Sequence, residues 1–433
     1  MIALLTARNT MQNAKSTRLL NLGLRGSTMA SKFLLVFFLA RLLSPAELGI
    51  FGLLSATIGY SLYLLGFDFY TYTTREMLKL APHERGQLLK NQSAIFLLLY
   101  LIVLPLLSII FFQGLIPWKY MTWFFLLVLL EHLTQEVGRL LITISQPLTA
   151  SIVLFLRQGI WPFFAVALML AFPVCRTLDW VLGGWSIGGF CALLLGLYKL
   201  YKMELGSWRA NIDWRWIIRG LKISSSLLVA TLAIRGVFTL DRYWLQALAG
   251  VEALGAYVLF IGIGNALMSF LDAGIFSFIY PGMISAWQKR DMELFRLELI
   301  RLAKQTLIVS GSFFVVAFLA ISPMLHWLGK DVFRTYQDMF PWILSATTLY
   351  GLGMIPHYAL YAMGRDKPII FSHLLSLGVF VIGTWALSGK FSALAVPISL
   401  VATFLFILAF KSIALVSLRP ELFRPAPSTP IKA

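Results

Sequence analysis

The sequence predicts an all-α polytopic membrane protein, with about twelve transmembrane helices in two pseudo-symmetric six-helix bundles. Three observations predict it. The 433 residues are 59% hydrophobic and 13% charged, with mean hydropathy +0.81, whereas a soluble domain is roughly a quarter charged. Lys and Arg gather in alternate connections between apolar runs. The second half of the chain repeats features of the first.

A helix that crosses a bilayer needs about 20 apolar residues. Residues 50–67 and 95–112 meet this without one charge. Hydropathy divides the first half into spans near 22–43, 47–68, 93–113, 118–144, 148–171 and 178–199. The second half divides near 222–247, 253–282, 304–328, 339–362, 369–388 and 391–416. Backbone polar groups must be satisfied within lipid, so these runs are expected as helices. No comparably long polar segment leaves room for a large soluble domain. Residues 1–21 are polar and basic (Arg8, Lys15, Arg18) and lack the apolar stretch of a cleavable signal peptide, so none is expected.

Of the 36 Lys and Arg, 25 fall on the N-terminal side of the spans, with Lys411 counted in the C-terminal segment. Six lie on the other side: Arg41, Lys119, Arg176, Lys330, Arg334 and Lys390. By the positive-inside rule both termini are cytoplasmic in a multi-pass inner (cytoplasmic) membrane protein, which requires an even number of spans. Such loops also account for most of the +17 net charge, so no nucleic-acid partner is expected. Residues 68–92 interleave Arg75, Lys79, Arg85 and Lys90 with Tyr70, Tyr72, Met77 and Leu78. That pattern suits either a segment lying on an anionic leaflet or an ordinary snorkelling loop. Residues 200–221 hold Trp208, Trp214 and Trp216 and suit a surface helix. Trp118, Trp123, Trp180, Trp185, Trp214 and Trp216 sit near span ends, as an interfacial belt would. Cys175 and Cys191 fall in or near apolar segments and are expected as free thiols, with no disulfide and no metal site. Gly184-x-x-x-Gly188 suits close helix packing.

The internal repeat aligns Leu48-Gly49 with Leu254-Gly255 and Phe51 with Tyr257. Each turn follows a helix with intramembrane cations and leads into a long helix with a late acid, Asp68 or Asp272. Six spans per half make the repeat parallel, and it divides the chain into lobes 1–205 and 206–433. Such an architecture suggests a transporter with its site between two lobes.

Ionisable residues inside spans cost about 2.5–3.5 kcal/mol each at a helix centre, so they must face a wet cavity or an opposite charge. Lys32, Arg139, Arg157, Arg235 and Arg242 lie inside predicted spans, and Arg25 lies near the start of the first. Arg25, Thr28 and Lys32 share one helix face, as do Arg235, Thr239 and Arg242. Glu136 is placed to pair with Arg139 or Arg157, whereas Lys32 and Arg235 have no acid within a turn of their own helix. Arg25 and Arg242 can instead snorkel to headgroups. A cationic interior implies an anionic cargo, and guanidinium groups hold phosphate in bidentate fashion. The six cations are therefore the expected substrate-binding residues. Asp68, Glu131, Glu136 and Asp272 are the acids available for H⁺ or Na⁺ coupling, and Asp272 stands out because no cation lies within a turn of it. Its alternative is a capping or water-bonded role.

No Walker A, Gly-x-Ser-x-Gly, His-Glu-x-x-His or Cys-x-x-Cys motif occurs, so no catalytic residues and no cofactor are expected. A membrane glycosyl polymerase would need a sizeable outer loop, and the longest here, near residues 329–338, has about ten residues.

Gly26-Ser27-Thr28, the run from Ala40 through Leu43-Ser44-Pro45-Ala46-Glu47-Leu48-Gly49 to Phe51, and Thr74-Arg75-Glu76 resemble the opening of polysaccharide-repeat (O-antigen or capsule type) flippases. Leu254-Gly255-Ala256-Tyr257 resembles that family's repeat of the same turn. The resemblance implies membership of the superfamily that also holds multidrug and toxin extruders. It implies a cationic cavity, alternating access, and export of an undecaprenyl-diphosphate-linked oligosaccharide to the periplasmic leaflet. It also implies membrane lipids, a polysaccharide polymerase and chain-length machinery as partners. A cation-coupled multidrug extruder and, less readily, a glycosyl polymerase remain open alternatives.

Overall fold

The chain folds into α-helices joined by short turns, and among the described residues it has no strand. The computed structural model describes residues 2–203, 206 and 211–423, with side chains from residue 20 onward except residue 22. Helices occupy all twelve predicted spans. The first half has α1 (Ile2–Leu42), α2 (Pro45–Gly66), a short α3 (Tyr70–Met77), α4 (Arg85–Leu107) and α5 (Ile109–Phe112). It continues with α6 (Met121–Thr143), α7 (Pro147–Phe155), α8 (Trp161–Ala171) and α9 (Leu178–Tyr201). The second half has α10 (Trp214–Leu271), α11 (Ser277–Gln288), α12 (Met292–Leu328), α13 (Asp331–Thr335), α14 (Met339–Ala362), α15 (Asp366–Phe391) and α16 (Ala395–Leu418).

Three of these helices need explanation. α10 holds two spans, because Gly250 breaks it at φ 86° and ψ 173°, a conformation open to glycine and strained for other residues. α6 is long enough to cross a bilayer but lowers its own hydropathy with Glu131, His132, Gln135, Glu136 and Arg139. α14 is also long enough, and its Pro341, Tyr350, Pro356, His357 and Tyr358 dilute its apolar residues. Length and composition alone therefore mark eight stretches as membrane-crossing, two of which (214–288 and 366–418) each cover two of the predicted spans, and leave α6 and α14 out.

The described residues group into two compact units, those within 1–262 and 328–333 and those within 263–327 and 334–423. In the first, Phe69, Tyr72 and Trp216 pack ring against ring around Met77, Leu88 and Ile217. Trp216 is thus buried at the start of α10 rather than lying on a surface helix or in an interfacial belt, and Trp208 lies outside the described residues. In the second unit, Leu271, Phe276, Met283, Phe295, Leu360 and Leu415 form the core. Cys175 is buried, Cys191 is exposed, and both are free thiols.

The motif at the α1–α2 turn has a local physical role. Ser44 and Glu47 make a capping box: Ser44 Oγ accepts from the Glu47 amide at 3.2 Å and Glu47 Oε2 accepts from the Ser44 amide at 3.1 Å. Pro45 starts the helix, where its missing N–H costs nothing. The Lys330 ammonium donates to the Ala40 and Leu43 carbonyls at the end of α1. Burial pushes the Lys330 pKa down, and Glu47 partly offsets that.

The two repeated Leu-Gly turns pack on each other inside the first unit. A Cβ at Gly49 would strike the Val251 carbonyl, and one at Gly255 would strike the Pro45 carbonyl. Gly52 lies equally close to Val258. The glycines of the repeat are therefore requirements of a close crossing of α2 and α10.

Candidate functional site

The first unit gathers nine of the ten residues singled out from the sequence; only Asp272 belongs to the second. They form three groups, and a turn of π-helix organises the first.

Leu156–Ile160 winds as a π-helix between α7 and α8, a local widening that often marks functional sites. Pro162 supplies no N–H to the turn before it. The Trp161 indole donates to the Arg157 carbonyl at 2.9 Å, and Ser31 Oγ donates to the Gly159 carbonyl at 2.5 Å. The widened turn thus anchors α1 and presents Arg157 and Gln158 together. Lys32 Nζ donates to Gln158 Oε1 at 2.6 Å. Gln158 in turn faces Glu131, whose Oε2 is 3.4 Å from Arg157 Nε. The Trp185 indole donates to Glu131 Oε1 at 2.7 Å and stacks on Trp161, 6.0 Å away and 7° from parallel. Trp185 is therefore part of this polar group rather than of an interfacial belt. Gly188 permits the packing: a Cβ there would come 2.7 Å from Trp161 and 2.8 Å from the Leu156 carbonyl.

The second group lies one to two turns along α6. Arg139 pairs with Glu136 at 2.5 Å, and Gln92 donates to the other Glu136 oxygen at 3.0 Å. The Arg139 guanidinium covers the Tyr70 ring at 3.6 Å. His132 shares this face of α6 and meets Tyr100 at 2.6 Å. Gly66 of α2 packs directly against His132 and Glu136. Glu136 and Arg139 edge a cavity of about 760 Å³ lined largely by apolar residues of α3, α4, α6 and α9. Of the two partners open to Glu136, the fold selects Arg139 and gives Arg157 to Glu131.

The third group is on α10. Arg242 pairs with Asp241 at 2.9 Å and also reaches the Phe238 carbonyl. Tyr257 donates to Asp241 at 2.6 Å from beyond the Gly250 break. This arrangement ties the two parts of α10 together and occupies Arg242. Arg235 is exposed, with its guanidinium 5.2 Å from the Tyr63 ring centre. Asp68 is buried at the end of α2 with φ 49°, in hydrogen-bonding contact with Thr231 and within the field of Arg139 and Arg235. Arg25 is exposed on α1.

Arg139, Arg157 and Arg242 are thus paired with carboxylates. Among the described residues Arg25, Lys32 and Arg235 form no ion pair with a carboxylate. In the second unit, Asp272 opens a second π-helical turn, Asp272–Phe276; it is exposed and, among the described residues, likewise forms no ion pair.

The sequence reading missed one intramembrane cation. Lys411, counted with the C-terminal segment, lies within α16 and is 1% exposed. Its position inside the hydropathic span 391–416 was the available signal. Gln158, which bridges Lys32 to Glu131, was also missed, because an amide carries no charge to count.

No protein-family model matches the chain, and no curated protein matches it. Solved structures do match. One is an inward-facing multidrug-resistance MATE family transporter of the MOP superfamily, with TM-score 0.72 at 10% identity, over 94% of this chain and 100% of that one. Another is the MATE multidrug transporter DinF-BH, with TM-score 0.65 at 14% identity, over 95% and 96%. A third is a MOP superfamily transporter from Pyrococcus furiosus whose reverse-polarity binding pocket suggests a different function. It has TM-score 0.52 at 12% identity, over 94% and 95%. These neighbours are transporters, and the chain has the all-helical, multi-pass membrane fold that they share.

Proposed function

We propose that the chain is an alternating-access transporter, not an enzyme, and that it flips a lipid-diphosphate-linked oligosaccharide repeat unit from the cytoplasmic to the outer leaflet of a bacterial inner membrane. The observation that carries this reading is the set Arg25, Lys32 and Arg235, which among the described residues are cations without carboxylate partners on helices that read as membrane-spanning. A cation retained there without an acid is stabilised when an anion or water meets it. A diphosphate offers several oxygens for such contacts, and guanidinium groups match their geometry. Lys32 and Arg235 would hold the diphosphate, with Arg157 beside Lys32 in reserve. The sugar would occupy a water-filled path through the protein, and the prenyl chain would stay in lipid. Rocking of two lobes, 1–205 and 206–433, would move the opening from one leaflet to the other. Direction follows from differential affinity for the loaded states, with H⁺ or Na⁺ as the coupling ion and Asp272, Asp68, Glu131 or Glu136 as its carboxylate. Asp272 is favoured, since Glu131 and Glu136 already hold arginines.

The second reading is a cation-coupled multidrug extruder. It is supported by the multidrug transporters among the fold neighbours and by the buried Glu131. The Pyrococcus furiosus transporter, with a binding pocket of reverse polarity that suggests a different function, has the same fold, so the fold by itself does not select the multidrug reading. Proteoliposome translocation separates the two. Transfer of a lipid-linked oligosaccharide to the outer leaflet supports the flippase; no transfer, together with efflux of an organic cation, sinks it.

A further inference from the structure

Lys411 Nζ sits 3.2 Å from His357 Nδ1 and 3.1 Å from His373 Nε2. One residue comes from each of α16, α14 and α15, all within the second unit. The two imidazole rings lie 6.1 Å apart and 13° from parallel, on either side of the amine. Lys411 is 1% exposed, and among the described residues it forms no ion pair with a carboxylate. On α14, Tyr358 packs edge-on to His357 with ring centres 5.6 Å apart. Asp272 of the π-turn and Tyr280 of α11 act on Tyr358, as do Tyr350 and Tyr361 of α14. Elsewhere in the second unit, Glu298 of α12 lies 3.8 Å from Arg301, and Arg419 meets Glu421 after α16.

Three bases thus surround one proton position. With Lys411 protonated, both imidazoles accept from it and stay neutral. A second proton would place like charges about 3 Å apart, which buried sites resist strongly. Releasing the proton leaves three neutral groups, a state that burial favours. The cluster therefore exchanges a single proton between net charge +1 and zero, and it titrates as a unit rather than as three residues. An arginine at the same place could not do this, because guanidinium keeps its proton. The cluster lies roughly 10 Å from the helix ends at the α14–α15 turn, at 1.5 Å per residue, a short path to water.

We propose that Lys411, His357 and His373 form a one-proton binding site that couples proton movement to transport; with the proton held there, Asp272 is left to bind Na⁺. The proposal rests on the transporter reading for its purpose but not on the identity of the cargo.

The test uses the full chain in lipid nanodiscs, with nitrogen-15 histidine spectra recorded from pH 5 to 9. The expected result is that His357 and His373 shift together with one midpoint, and that Lys411→Arg holds both constant. In proteoliposomes carrying a lipid-linked oligosaccharide, an imposed pH gradient should shift the leaflet distribution about tenfold per pH unit if one proton moves per cargo. Lys411→Arg should abolish that shift. Should Lys411→Arg fail to fold, the His357→Asn/His373→Asn pair serves in its place. Independent histidine midpoints, unchanged spectra across the range, or a gradient response retained in Lys411→Arg would overturn the proposal. If wild type moves no lipid-linked probe, the cargo reading fails, and the gradient arm is run with organic-cation efflux, where the same shift and the same loss are required.

Discussion

The two units treat positive charge within their helices differently. In the first, Arg157, Arg139 and Arg242 each meet a carboxylate: Glu131, Glu136 and Asp241. In the second, Lys411 meets two imidazoles. A guanidinium–carboxylate pair is fixed in charge, because neither partner readily gives up its state while the other is present. An amine between two imidazoles has no such lock. The first arrangement suits holding a scaffold and leaves neighbouring cations unoccupied; the second suits a charge that changes.

The largest expected effect tests the unpaired cations. Lys32→Ala and Arg235→Ala should each remove about 2–5 kcal/mol of interaction with an anionic cargo, enough to take flipping in proteoliposomes below detection while expression is unchanged. Full activity in both would refute the assignment of the cargo site. Next come the paired cations. Glu131→Gln removes the negative charge that faces Arg157 and leaves one acceptor oxygen where Arg157 and Trp185 each use one, and should cost about 3–5 kcal/mol in thermal unfolding of the detergent-solubilised protein. Adding Arg157→Met should recover most of that loss; no recovery would mean the pair is not the stabilising unit. Gly255→Ala, whose Cβ meets the Pro45 carbonyl, should cost about 1–3 kcal/mol by overpacking in the same assay. The smallest effect is at Tyr257→Phe, which removes one hydrogen bond to Asp241 and should cost about 1 kcal/mol with flipping retained. A transport defect there as large as that of Arg235→Ala would erase the distinction between scaffold and site.

The pairings show where sequence reasoning stops. Periodicity on α6 places His132, Glu136 and Arg139 on one face, and the fold keeps them there against Gly66. The choice of Arg139 over Arg157 for Glu136 depends on where α7 and α8 meet α6. That is set by the π-turn at Leu156–Ile160, which no spacing rule announces. Trp185 and Trp216 look like interfacial tryptophans because they lie near span ends. Burial against Trp161 and against Phe69 and Tyr72 overrides that position. Lys411 looks like a trailing loop charge for the same reason, since linear distance from a span end does not reveal depth in the packed bundle.

By itself the sequence determined the helical, multi-pass class and the twelve helix positions, because hydropathy and backbone satisfaction in lipid are local constraints. It also located the repeated Leu-Gly turns and the cationic faces of α1 and α10, which are helical periodicities. Only the tertiary structure decided which cations are neutralised, that the two repeat turns pack glycine to backbone, and that a lysine and two histidines separated by 38 and 54 residues share one site. Those outcomes depend on contacts between distant segments, and charge in a low-dielectric interior takes its meaning from its nearest partner rather than from its place in the chain.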